Sequence, residues 1–169
     1  ISHIDLDGIT SAKVTNKVID ANIIKFVGYE ELNQNLINEL KKEKVNKIIF
    51  TDLLIKDPTF INEAEKFASL LIIDHHFLQQ DYNSQKTVFM SSQGYCAGYL
   101  CYYLFSKIQD LESLDWLAAC ASVADWQYTK NANWMTQVYN KYGDEFKGNP
   151  EEIKKGKFWD LQWKLVLAI

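Results

Sequence analysis

The stretch Leu70 to Phe77, LLIIDHHF, constrains the fold more than any other part of this chain. Four consecutive apolar residues suit a strand buried on both faces, and Asp74, His75 and His76 follow where such a strand leaves its sheet. Open α/β sheets place their chemistry at that edge. The chain has three histidines, and the third, His3, lies in another apolar-to-acidic junction, ISHIDLDG. Histidine is therefore confined to two sites of the same kind.

The flanking sequence supplies the rest of such a sheet. Ile1 to Ile4 reads as the tail of a strand that begins earlier in the natural domain, and Thr10 or Ser11 can cap a helix through about Ala21. A strand is expected over Ile23–Gly28, a helix over Tyr29–Lys44, a strand over Val45–Phe50 ending at Asp52, and a helix from Pro58 to about Ala68. After the Leu70 strand come a polar loop, Gln79 to Lys86, and a short strand at Thr87–Met90. This alternation predicts an α/β fold, with a mostly parallel sheet of about five strands flanked by helices.

From residue 93 the texture becomes helical: Cys96–Ile108, Leu114–Val123, about Ala132–Phe146, and Glu151 to the end. The two middle helices of these four read as apolar nearly all round, hence buried. Residues 1–169 thus read as one domain, with an α/β half at 1–92 and a mainly helical half at 93–169.

Composition narrows the functional classes. No apolar run reaches the length of a membrane span and no signal peptide opens the chain, so a cytoplasmic protein without a membrane partner is expected. Cys96, Cys101 and Cys120 are odd in number, lack a CxxC pairing and sit in apolar sequence, which reads as reduced buried thiols. The net charge of −4 argues against binding nucleic acid by counterion release alone. All eighteen basic residues are lysines, so no guanidinium clamp is available for phosphate.

In a parallel sheet the carboxyl ends of the strands share one edge. His3, Asp5, Asp7, Asp52, Asp74, His75 and His76 converge there, joined by Asp125 from the ASVADW segment. Without cations such a cluster is electrostatically unfavourable. Oxygen and imidazole donors without thiolate suit manganese, magnesium or iron rather than structural zinc. There are too many ligands for one ion, whereas two ions about 3.5–4 Å apart, bridged by a carboxylate, would use them all and serve in-line attack on phosphorus. Taken singly, Asp52 reads as a turn residue and His3 as a satisfied core histidine. DxDG resembles part of a calcium loop, but Ser11 to Val18 carries no closing glutamate. The tyrosines at 95, 99, 102 and 103 lie on one expected helix and read as packing rather than base stacking.

In combination these residues resemble the DHH phosphoesterase superfamily, which includes RecJ nucleases, nanoRNases, cyclic-dinucleotide phosphodiesterases and family II inorganic pyrophosphatases. SHIDLDG is similar to its first motif, FTDL to its second, DHH to its third and ASVADW to its fourth; GYCAGYLCYYL resembles the segment between the last two. The resemblance implies one metal held by His3, Asp5 and Asp52, and another by Asp7, Asp52, His75 and Asp125, with Asp52 as the bridge. It implies manganese first and magnesium second. His76 would face the scissile phosphate with Gly98 as a further substrate contact, and Asp74 would orient a neighbouring histidine.

The spacing HxDxDG, rather than the pyrophosphatases' HxxxDxD, favours phosphodiesters. The glycine-rich, histidine-containing domain with which family nucleases grip substrate is absent from these 169 residues. The expectation is a two-metal phosphodiesterase or nuclease acting on short single-stranded oligonucleotides, dinucleotides or cyclic dinucleotides. Its rivals are a catalytically weak binding or assembly module in a replication or repair complex, and a pyrophosphate or polyphosphate hydrolase.

Overall fold

A computed structural model describes residues 1–78 and 80–169; Gln79, the first residue of the expected polar loop, lies outside them. Five strands form one parallel sheet in the order β2-β1-β3-β4-β5: β1 (Ser2–His3), β2 (Phe26–Val27), β3 (Lys47–Thr51), β4 (Ser69–Asp74) and β5 (Thr87–Ser91). The order reverses at β1. The switch point where open α/β sheets gather ligands therefore falls between the carboxyl ends of β1 and β3.

The apolar run of β4 is buried on both faces, as its sequence requires. Leu70 and Ile72 pack with Phe50, Phe60 and Ile61, on the side of α2 (Gln34–Lys42) and α3 (Pro58–Glu65). Ile73 and Leu71 pack with Val14 of α1 (Leu6–Ile19) and with Cys101 and Phe105 of α4 (Ala97–Phe105) on the other side. Each fully buried aliphatic side chain contributes about 1.5–3 kcal/mol.

The helical half adds α5 (Asp115–Ala124), α6 (Ala132–Lys141), α7 (Pro150–Ile153) and α8 (Lys157–Val166). Their own core joins Leu6 at the start of α1 to Ala119, Val123, Met135, Tyr139 and Phe158. Among the described residues, no helix is long and apolar enough to cross a membrane.

Several boundaries differ from the sequence expectation, each for a local reason. Helix α1 begins five residues before Ser11, because Asp5 accepts from the Gly8 amide and caps it; Ser11 instead donates its hydroxyl to the Asp7 carbonyl from inside the helix. The expected Tyr29–Lys44 helix is a 3-10 turn at Tyr29–Glu31 followed by α2, which Asn33 caps. The Ile23–Gly28 strand shortens to two residues at the sheet edge. Only α5 is buried nearly all round. Helix α6 buries just Met135, Val138 and Tyr139, because Asn133, Gln137 and Asn140 give it a polar face. The expected terminal helix from Glu151 divides into α7 and α8 at Gly156.

Gly8 sets the distance between α1 and β1. A Cβ there would lie 2.3 Å from the His3 carbonyl oxygen and 2.7 Å from its carbon, both backbone atoms. The Ser2 hydroxyl, buried at the same junction, donates to the Gly8 carbonyl at 2.6 Å and accepts from Thr51 Oγ1 at 2.7 Å. Gly8→Ala should therefore push β1 away from α1 at a cost of about 1–3 kcal/mol. In chemical denaturation this would be read as a lower midpoint with an unchanged slope.

Candidate metal centre

The carboxyl ends of β1, β3 and β4 deliver His3, Asp52 and Asp74 to one edge, and His75 and His76 follow β4 directly. Asp5 and Asp7 come from the cap and first turn of α1, and Asp125 from the residue that ends α5. Their ligand atoms form three overlapping groups: His3, Asp5 and Asp52; Asp7, His75 and Asp125; and Asp52, Asp74, His75 and His76.

His75 lies among three carboxylates from three separate elements. Its Nε2 is 3.2 Å from Asp52 Oδ1 and 3.6 Å from Asp7 Oδ2, and its Nδ1 is 3.5 Å from Asp125 Oδ2. Asp52 reaches the other way as well, with Oδ2 3.9 Å from His3 Nδ1, which is itself 2.8 Å from Asp5 Oδ2. Asp52 occupies the left-handed region at φ +57°, a conformation aspartate tolerates better than bulkier residues do. Its amide still bonds the Ile73 carbonyl at 3.0 Å, so the turn stays tied to β4.

Asp7 is held by the start of α4: Ala97 N–H donates to Oδ2 at 2.8 Å and Gly98 N–H to Oδ1 at 2.7 Å. Anionic oxygens suit that position, where helix amides lack intrahelical acceptors. Gly98 is buried, and a Cβ there would meet Thr10, Asp7 and Ala121. Its place in the structure is thus behind Asp7 as a backbone donor, not on the open side of the site.

Asp74 is completely buried, and its Oδ1 pairs with His76 Nδ1 at 2.8 Å. The other ring nitrogen of His76 lies 3.2 Å from the Tyr29 hydroxyl, and the Tyr29 ring stacks on His3 with centroids 4.4 Å apart. Tyr29 has no place in the sequence reading, because it falls inside an apparently continuous helical pattern. Its signal was positional: it follows Gly28 just past a strand end, on the edge that carries the histidines.

The site carries more negative charge than its own groups balance. Burial, with Asp7 and Asp5 alongside, raises Asp52 well above the usual carboxylate range, and burial with the same two neighbours lifts Asp125 to about 7. Burial also raises Asp7, against the pull of His75 and the α4 amides. Asp5 moves the opposite way, since the Gly8 amide and His3 together outweigh its burial. Burial depresses His75, whereas the Asp74 hydrogen bond raises His76.

Asp52 Oδ2, Asp74 Oδ2 and Asp125 Oδ2 are buried without a hydrogen-bond partner among the described residues. Unsatisfied buried acceptors beside carboxylates of raised pKa fit divalent cations. His3, Asp5 and Asp52 could hold one ion, and Asp7, Asp52, His75 and Asp125 a second; the donor set, oxygen and imidazole without thiolate, suits manganese or magnesium.

A model described as the DHH family, N-terminal domain, matches residues 1–129. The fold is similar to the crystal structure of exonuclease RecJ bound to manganese, with a TM-score of 0.58 and 14% identity over 80% of this chain and 40% of that one. It is also similar to an uncharacterized protein from Helicobacter pylori G27, with a TM-score of 0.50 and 20% identity over 76% of this chain and 43% of that one. This chain therefore spans less than half the length of either. A search of curated proteins finds no match.

The raised carboxylates give stability a definite pH dependence. From the ordinary value of 3.8 up to about 7, the native state keeps a proton on Asp125 that the unfolded chain has released. Metal-free protein should lose stability as pH rises through this window. Asp7 and Asp52 act in the same direction. Thermal melts in chelator should show a lower midpoint near pH 8 than near pH 5.5. Manganese at about a hundredfold excess over its Kd should raise the pH 8 midpoint by about 5–10 °C.

Proposed function

This chain belongs to the DHH family, and from that premise we propose that it hydrolyses phosphodiester bonds in short single-stranded oligonucleotides or cyclic dinucleotides, using two divalent cations, manganese first. The observation that carries the proposal is the position of Asp52, whose two oxygens reach separate ligand groups, one containing His3 and Asp5, the other His75. The manganese named with the RecJ exonuclease structure supports the choice of metal.

Bound there, the cations would supply an activated water nucleophile and electrophilic stabilisation of the phosphoryl oxygens. The protein's own groups do the rest. Asp52 and Asp7 fix the ligand geometry, Asp7 through its bonds to the α4 amides. Asp74 orients His76 and favours its protonated form, so that Nε2 can donate to a phosphoryl or leaving-group oxygen near neutral pH. The Tyr29 hydroxyl pairs with the same nitrogen at 3.2 Å and so steadies the ring. The buried free cysteines suit a reducing compartment, which supports a cytoplasmic location.

The direct test is manganese-dependent turnover of four substrates: a dinucleotide, a longer single strand, a cyclic dinucleotide and pyrophosphate. One of the phosphodiesters should be cleaved fastest; preference for pyrophosphate would refute the reading. Asp52→Asn keeps the side-chain shape and tolerates the left-handed backbone, and it should lower turnover by about a hundredfold or more, at or beyond the upper end of what loss of a ligand-supporting partner costs. Tyr29→Phe removes one hydrogen bond, worth about 0.5–1.5 kcal/mol, and should slow turnover by roughly two- to tenfold with the fold unchanged.

A further inference from the structure

Asp5, Asp7 and Asp125 line a second feature besides the metal centre: an open cleft of about 280 Å³ that is also lined by Trp126, Trp159 and Trp163. The volume is just below the roughly 300–1,000 Å³ of pockets for whole small ligands, so it suits one ring system rather than an entire nucleotide. Two of the tryptophans come from α8, beyond residues 1–129, the part matched by the family model.

The three indoles form an edge-to-face series. Trp126 and Trp159 have centroids 5.4 Å apart at 61°, and Trp159 and Trp163 are 5.9 Å apart at 80°. The outer two are 44% and 47% exposed, a large unspent aromatic surface beside an acidic cluster. Gln162, on the same wall, offers an amide donor and acceptor. Lys154 places its ammonium 5.7 Å from the Trp126 ring centroid, a cation–π contact.

The backbone supplies an independent argument. Helix α5 ends in a Schellman motif: Gln127 N–H bonds the Ser122 carbonyl at 2.9 Å, and Trp126 N–H bonds Val123 at 3.2 Å. The left-handed residue of that motif is usually glycine, but here it is Trp126, at φ +57°. A bulky side chain in that conformation is strained. The strain sits next to Asp125, where the indole both lines the cleft and packs edge-to-face on Trp159.

We infer that this tryptophan wall is a nucleobase subsite, stacking the base of the nucleotide whose phosphate lies at the metal centre. The inference rests on the phosphodiesterase reading and deepens it: α8 gives this chain its own grip on substrate. Stacking is tolerant of base identity because every base has a π-face, so the subsite selects nucleotides over other phosphate esters without selecting sequence.

The test compares adenosine 5′-monophosphate with ribose 5-phosphate, which lacks the base, by calorimetric titration of the whole 169-residue chain in manganese. The nucleotide should bind about tenfold tighter or more, and should quench tryptophan fluorescence. Trp163→Ala and Trp126→Gly should each reduce that preference to about twofold or less. Trp126→Gly also removes the backbone strain, so its circular dichroism spectrum should stay native. Equal affinities in the unaltered protein, or an undiminished preference in both variants, would overturn the inference. Dinucleotide turnover run alongside separates the two claims. Cleavage without base preference refutes the subsite alone, and base preference without cleavage of any phosphodiester refutes the activity alone.

Discussion

Mutual repulsion among buried carboxylates is the constraint on which the rest of this structure depends. A parallel sheet delivers every strand's carboxyl end to the same edge, and here three of those ends, together with the start of α1 and the end of α5, bring acidic groups within a few ångströms of one another. The fold can hold them only by rigid support from behind. That support is visible as the buried Ser2–Gly8–Thr51 network, the two α4 amides on Asp7 and the Asp74–His76 pair. The α4 amides hold Asp7, Asp74 holds the His76 ring, and the Ser2 network ties β1 to α1 and β3. Carboxylate oxygens of Asp52, Asp74 and Asp125 remain buried without a hydrogen-bond partner among the described residues.

The same logic explains what could be read from the chain. The four apolar residues before Asp74 declare a strand covered on both faces, and β4 lies inside the sheet, paired with β3 and β5. Once parallel strands are expected, the convergence of His3, Asp52 and His75 is a matter of topology, which does not depend on the exact helix ends. Those ends were less legible. Asp5, expected from the sequence as a metal ligand, also caps α1, since one carboxylate can serve a helix terminus and face a cation site together. Tyr29 escaped notice because helical spacing continued across it, and only the break at Asn33 reveals the turn that carries it. The polar face of α6 was hidden by the density of aromatics around it.

Two of the four non-glycine residues with positive φ among the described residues stand where side-chain chemistry overrides local preference. Asp52 and Trp126 both adopt positive φ, and both lie at the site, one immediately after a strand and the other immediately after a helix. Local propensity alone would place glycine or asparagine at such positions. The rest of the fold makes strain there tolerable. Asp52 is clamped by the bond to Ile73, and the end of α5 is closed by two backbone bonds.

The bonds from α4 to Asp7 carry a further consequence, for the order in which the molecule can mature. The first turn of α1 is completed as a ligand only by amides some ninety residues further along the chain, and the ligand set closes only with Asp125. A growing polypeptide that has finished its sheet would therefore still lack part of the proposed ligand set. With the proposed ligand set, the helical half would have to dock before ions could be retained, and cation capture would be a late event coupled to the joining of the two halves. The centre would then act as a latch on the finished domain as well as a place for chemistry.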